Sequence, residues 1–253
     1  AVAVWDARRR QAAADLLAEL NTANELIDKP VAALIRDGTI RLLRCSWLLD
    51  PASTEYMHRG PAGEISFGRM QDLPSSAFAS PEEAAAAFES GQRKVLVLSH
   101  PWRSALHPDP TGATFASLLN LLRSGAISTE ECLLFIDFSS LPQKPRTEDD
   151  IKVFKTALPQ MGSLYASVAG TMVVQCRDMP PCPPAFEGRV VVDESDPTFS
   201  KLALVNWTSS TEGFQRVEEL QASSRVIKFR THKQALEAIQ KAPFVVHTQY
   251  NDT

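Results

Sequence analysis

Three apolar runs constrain this chain more than anything else in it: KVLVLS at 94–99, CLLFIDF at 132–138 and TMVVQC at 171–176. None alternates apolar with polar, as a half-buried strand does. None repeats over three or four residues, as an amphipathic helix does. Short continuous apolar runs of this kind predict strands covered on both faces. Between them lie helical patterns. One starts near Pro110, with Asp109 as N-cap, runs through Phe115, Leu118, Leu119 and Leu122, and stops at Gly125. Another covers 147–167, with Ile151, Phe154, Leu158, Met161 and Tyr165 on one face and Pro159 kinking or splitting it. Strand–helix–strand alternation predicts an α/β fold: a parallel sheet with right-handed crossovers and helices on both faces.

The flanking sequence is read in the same way. A helix is expected over 4–27, carrying Arg8, Arg9 and Arg10 and then Leu16, Leu17 and Leu20. Pro30 interrupts it, and a second short helix (31–36) ends at Asp37-Gly38. Residues 39–49 read as extended. Residues 50–80, rich in Pro and Gly, read as an arm without a core of its own. A helix follows at 81–89, capped by Ser80 with Pro81 at its first position. The expected division is therefore 1–80, an N-terminal helix and extended arm, and 81–253, the α/β domain. In the last third, 189–192 reads as an edge strand, 198–223 as mostly helical, 225–229 as a strand and 232–241 as a helix.

Composition narrows the function classes. The net charge of −4 and pI near 5.8 argue against a protein that grips nucleic acid by neutralising phosphates. A mean hydropathy of −0.14 and short apolar runs argue against a membrane-spanning chain. Four scattered cysteines match neither a disulfide framework nor a zinc spacing, and point to a reducing compartment. The five histidines form no H-E-x-x-H. No G-x-G-x-x-G, P-loop or G-x-S-x-G is present, so no cofactor or metal is expected. The chain opens on Ala1, which suggests a processed end. The expected setting is intracellular: a chloroplast or other organelle after removal of a transit peptide, and otherwise the cytoplasm.

Function in an open parallel sheet gathers at the carboxyl ends of its strands. There the sequence sets Ser99, His100, Trp102, Arg103 and Ser104 after the first run. It sets Asp137, Ser139, Ser140 and Gln143 after the second, and Gln175, Cys176, Arg177 and Asp178 after the third. The candidate ligand crevice is Ser99, His100, Trp102, Arg103, Asp137, Ser139 and Gln143, with Trp102 and Asp137 meeting at its rim. The competing reading has Asp137 and Ser139 capping turns and Trp102 packing over the sheet edge.

These residues also carry a resemblance. LSHPW (98–102), FIDFSSLPQ (135–143) and MGSLYAS (161–167) before an apolar strand resemble heterokaryon-incompatibility (HET) domains. Those carry LSY/LSH-x-W, then W-I-D-x-x-C-I-x-Q, then M-x-x-I-Y-x-x-A. More loosely, the strand–acid pattern resembles Toll/interleukin-1-receptor (TIR) domains. The chain is also similar to uncharacterised HET/TIR-like proteins of unicellular algae with LLRxSWLL, RxQDLP, LSxxWxxxxHPDP and DFxSLPQKPRT. These motifs stand here at 42–49, 69–74, 98–110 and 137–147. The resemblance covers roughly residues 40–180.

It implies a flavodoxin-like (TIR-like) sheet and a module that acts through protein–protein association. Some TIR domains hydrolyse NAD⁺ with a glutamate just past a W-C-x-x-E-like motif. The nearest counterpart here runs from Trp207 to Glu212, one residue longer and without the cysteine. The expected function is a non-catalytic scaffold or linker subunit that joins a larger protein complex through the N-terminal helix and arm. The alternative is an NAD⁺ glycohydrolase with NAD as substrate, using Trp102, Arg103 and Asp137 with Glu212 or Glu194 as the acid. A third reading is a signalling module that binds a nucleotide without cleaving it.

Overall fold

The computed structural model describes residues 11, 14–16, 18–60, 63–104, 107–167, 170–176, 182–184, 186–194, 196–221 and 224–249. The chain is a mixed α/β protein that divides into two compact units. Ala1–His58, Phe67–Ser99 and Ser117–Cys176 form the first; Arg59–Ser66, His100–Ala116 and Arg177–Thr253 form the second.

The first unit is built on β1 (Leu43–Arg44), β2 (Val95–Ser99), β3 (Leu133–Phe135) and β4 (Thr171–Gln175), in the order β1-β3-β2-β4. The three apolar runs pair in parallel, with Val95 opposite both Leu133 and Thr171. Val95, Leu96, Val97 and Leu98 are each at most 1% exposed, so both faces of β2 are covered and its continuous apolar run is explained. The sheet is mixed, however, because β1 runs antiparallel to β3. Only two residues of the expected extended stretch 39–49 pair. Cys45–Leu49 turns into helix α2, since Cys45 and Leu48, three apart, are the pair that must be buried.

Helices α1 (Lys29–Arg36) and α3 (Pro81–Glu89) supply Val31, Ala32, Ile35, Ala84, Ala85 and Phe88 to one core. That core includes Val95, Val97, Leu133 and Phe135 from the sheet. Ser80 caps α3 as expected, accepting from Glu83 N. Pro30 does not break the helix before it. From residue 18 to Arg36 the helix continues, widening to π hydrogen bonds over Asn24–Asp28. A proline has no N–H to give and its ring crowds the carbonyl four residues back; the wider turn relieves that crowding. Residues 67–80 do not drape free of a core either. Phe67, Leu73, Ala77 and Phe78 are buried, and Leu43 bridges to Phe78. Single apolar residues spaced by Pro and Gly leave no period to read, yet each finds a buried place. The pattern at 147–167 splits at Pro159 into α6 (Glu148–Ala157) and α7 (Met161–Ala166), the former with a Thr147–Asp150 capping box. Two further helices, α4 (Ala113–Arg123) and the short α5 (Asp137–Ser140), follow β2 and β3.

The second unit carries an antiparallel sheet of β5 (Arg189–Asp193), β6 (Phe214–Gln221), β7 (Ser224–Phe229) and β8 (Val246–Thr248), ordered β8-β5-β7-β6. Helices α8 (Lys201–Ser210) and α9 (His232–Gln240) share a core with one face of it. Leu204, Trp207, Ala235 and Ala238 are buried with Val190, Val192, Ile227 and Phe229. The edge strand expected at 189–192 is an inner one, Arg189–Asp193. The expected helix over 198–223 stops at Ser210, Gly213 (φ +82°) follows it, and the polar FQRVEELQ pairs with β7 as the true edge. The apolar residues of that octapeptide, Phe214, Val217 and Leu220, recur every three positions as in a helix, and pairing with a neighbouring strand overrides that local spacing. The strand at 225–229 and the helix from His232 stand as read.

Candidate functional site

From β2 the chain passes to β3 on one side and then to β4 on the other. The reversal of strand order therefore falls between the carboxyl ends of β2 and β4. Here Ser99 O accepts from Cys176 N at 2.9 Å. Beside it the half-buried Tyr165 donates its hydroxyl to Leu98 O at 3.4 Å. Burial first, and the nearby negative charge of Asp137 second, hold the Tyr165 phenol above its ordinary range. Tyr165 and Asp137 thus share the polar end of this sheet. The sequence had marked Tyr165 only as one apolar step of a helix.

Asp137 opens α5, and its carboxylate accepts from Phe138 N at 2.7 Å. Ser139 and Gln143, two of the expected crevice residues, are buried and structurally engaged. Ser139 Oγ donates to Gly68 O at 2.7 Å. Gln143 Nε2 donates to the carbonyls of Asp137 and Leu141, both at 3.0 Å. Gln71 completes the tie from the other side. Its Nε2 donates to Gln143 O at 2.6 Å, and its Oε1 accepts from Gln143 N at 3.0 Å. Arg69 pairs with Asp72 and donates to Lys144 O at 3.1 Å. The hydrogen bonds it donates to the Asp72 carboxylate hold the Arg69 guanidinium above its ordinary range. Gly68 leaves no room for a side chain: a Cβ there would stand 2.6 Å from Tyr56 O. The motifs at 69–74 and 137–147 are the two halves of one strap.

His100, Trp102 and Arg103 belong to the second unit. They lie on a loop folded on its own backbone. Arg103 N donates to Pro108 O (2.9 Å) and Ser104 N to His107 O (3.2 Å). His107 N donates to Ser104 Oγ (2.9 Å). Asp109 N donates to His107 Nδ1 at 3.0 Å, which requires that nitrogen to be unprotonated. Asp109, wholly buried, accepts through Oδ2 from Phe115 N (2.8 Å) in the first turn of α4 and from Ser66 Oγ (3.2 Å). Arg103 is 1% exposed, the largest fully buried side chain among the described residues. Trp102 and His100 are partly buried. The loop sits against the segment at 60–65 so closely that a Cβ on Gly112 would stand 2.3 Å from Ile65 O, and one on Gly60 2.5 Å from Pro110 O. The motif at 98–110 is thus a packed polar loop. Its buried members Asp109 and His107 escaped notice because each reads locally as a cap or a lone histidine.

The other candidates, Glu212 and Glu194, belong to the second unit. Glu212 is exposed on the turn after α8, not on the helix. Trp207, ahead of it, is buried, donates Nε1–H to Ala238 O at 3.0 Å and meets Phe229 and Phe244 edge-on. Glu194 is paired with Arg225. Arg177 and Asp178 lie outside the described residues. Among the described residues no three His, Cys, Asp or Glu side chains gather as metal ligands, and no helix is long and apolar enough to cross a membrane. Comparison with family models, with curated proteins and with solved structures returns no match.

Proposed function

We propose that this chain is a non-catalytic protein-interaction module of the HET/TIR-like kind, a scaffold or linker subunit that docks into a larger assembly through its amino-terminal helix. One observation carries the reading. Leu16 is 57% exposed in a helical stretch, and along the helix that runs from residue 18 to Arg36 Leu20 is 46% and Leu26 70% exposed, whereas Val31, Ala32 and Ile35 are at most 2% exposed. Leu16 and Leu20 lie four apart on one helical face, the spacing by which an amphipathic helix is taken into a groove. The strand order β3-β2-β4 supports the fold half of the proposal. A flavodoxin-like sheet also places its second strand on one side of the first and its third on the other. An intracellular assembly, in a chloroplast or another organelle, suits the algal resemblance.

The engaged state of the polar residues supports an interaction role over hydrolysis of NAD⁺. Ser139 and Gln143 hold a strap, Glu194 holds Arg225, and Glu212 stands exposed on a turn.

Docking now rests on the helix alone, because residues 67–80 contribute to the core. Deleting residues 1–23, or making the Leu16→Gln/Leu20→Gln pair, is expected to leave the melting temperature unchanged. The same changes abolish co-purification of the protein with its native complex. Undiminished association would overturn the proposal. Incubation with NAD⁺ is expected to release no nicotinamide. Release that disappears in Glu212→Gln would replace this reading with the hydrolase.

A further inference from the structure

Two of the four cysteines are set against each other by the sheet. The antiparallel register of β1 with β3 pairs Leu43 with Leu134 and Arg44 with Leu133. One step further it sets Cys45 against Cys132, and Cys45 N donates to Cys132 O at 3.1 Å. Residues that exchange both backbone bonds in an antiparallel ladder have Cα atoms about 5.5 Å apart; Cys45 makes one of the two bonds, at the point where the ladder gives way to α2. The ladder spacing lies inside the roughly 4.4–6.8 Å span of a disulfide. Directly opposed side chains also project from the same face. Both cysteines are free thiols, Cys45 wholly buried and Cys132 7% exposed.

We propose that Cys45 and Cys132 form a modification site, a dithiol that a hydroperoxide closes into an intrachain disulfide stapling the edge strand β1 to β3. Burial first, and then the neighbouring Cys132, push the Cys45 thiol up to about 12; burial likewise raises Cys132. Both sulfurs therefore rest as protonated thiols, and attack on the oxidant runs through the minor thiolate form, which makes closure slow at neutral pH and faster as the pH rises. Cys132, the more exposed, reacts first. Its sulfur attacks one peroxide oxygen, the O–O bond breaks, and the departing hydroxide takes the thiol proton and leaves as water. The Cys45 sulfur then attacks the sulfenic sulfur of Cys132. The S–O bond breaks, and the leaving hydroxyl takes the Cys45 proton as a second water. Two thiols and one hydrogen peroxide become one disulfide and two waters; the sulfurs supply the two electrons. The bond would fix the point where the chain leaves β1 and enters α2, at the sheet edge that Phe78 also borders.

Cys176 and Cys182, both more exposed, are internal competitors. Exposure alone favours their oxidation, whereas opposed geometry favours Cys45 with Cys132. The test titrates the reduced, folded full chain with hydrogen peroxide, blocks remaining thiols with iodoacetamide and maps peptides without reduction. The expected product links the Cys45 and Cys132 peptides with the loss of two hydrogens, reverts with dithiothreitol and melts several degrees higher than the reduced protein. Cys132→Ser and Cys45→Ala each abolish the link and the shift, whereas Cys176→Ser/Cys182→Ser retains both. Should Cys45→Ala fail to fold, the wild-type map and Cys132→Ser still decide. A Cys176–Cys182 link instead, sulfinic acid on Cys132 with no link in protein that keeps its near-UV dichroism, or a link formed only in denaturant would each overturn the proposal.

Discussion

Gln143 shows how a residue can be singled out correctly and given the wrong task. Its position after a buried strand marks it as special, and it is special as a clasp: its amide satisfies two buried carbonyls, while its own backbone is held by Gln71. Gln143→Ala leaves Asp137 O and Leu141 O without their side-chain donor. A buried polar group stripped of its partner costs about 1–3 kcal/mol, and urea unfolding should show a loss of that size. Association with a partner should persist in the folded fraction. Short motifs such as QDLP and SLPQ were legible as motifs. Their mutual pairing across about seventy residues was not, because a single glutamine carries no mark of which backbone it will meet. Tyr165 and Asp109 are the opposite case: one reads as an apolar helix step and the other as a helix N-cap, and only the tertiary fold gives them charged or buried polar surroundings.

At the scale of elements, what the sequence made legible follows burial. β2 and β3 were readable because strands covered on two faces need continuous apolar runs. β4 was legible by the same kind of apolar run, but it lies at the sheet edge and leaves Val173 45% exposed, so the expectation that both its faces are covered does not hold. β1 and β6 were not, since a two-residue edge and a polar octapeptide owe their state to the strand beside them. Glycine was informative mainly as punctuation, yet Gly112 does more than punctuate. It combines φ of +70° with an approach of the 60–65 segment that a Cβ would bring to 2.3 Å of Ile65 O. Gly63 has a similar φ of +89° but no atom within 4 Å of such a Cβ. Alanine at either position meets the left-handed backbone cost of about 1–2 kcal/mol. Gly112→Ala must in addition push two backbone segments apart. Chemical unfolding should therefore show Gly112→Ala as clearly the more damaging, with faster proteolysis around residues 59–66. Equal losses for the two variants would mean that the close approach contributes nothing.

Across the whole molecule, both compact units carry groups whose protonation is tied to folding, and these set a pH window for stability. On the acid side, the hydrogen bond and charge of Arg44 hold Glu83 below the usual carboxylate range. Lys94 does the same for Glu131, and the Thr198 hydroxyl and N–H do so for Asp196. Burial of Glu218 opposes the shift, but Arg216 and Arg189 outweigh it and leave its value lowered too. For each, the unfolded chain binds the proton more readily than the folded one. Their stabilisation is complete above the unfolded value, ~4.3 for a glutamate, and is lost as the pH falls through the lowered folded value. On the alkaline side the order reverses. Cys45, pushed up to about 12, together with Cys132 and Tyr165, keeps its proton in the folded state after the unfolded chain has released it. Their contribution is whole below the unfolded thiol value of ~8.5 and declines as the pH rises from there toward the folded value. Thermal midpoints measured in reductant should therefore form a plateau between roughly pH 5 and pH 8 and fall on both sides. Glu83→Gln should flatten the acid limb and Cys45→Ala the alkaline limb, each leaving the other limb unchanged. A midpoint that goes on rising past pH 9 would mean that the buried thiols do not resist ionisation in the folded chain.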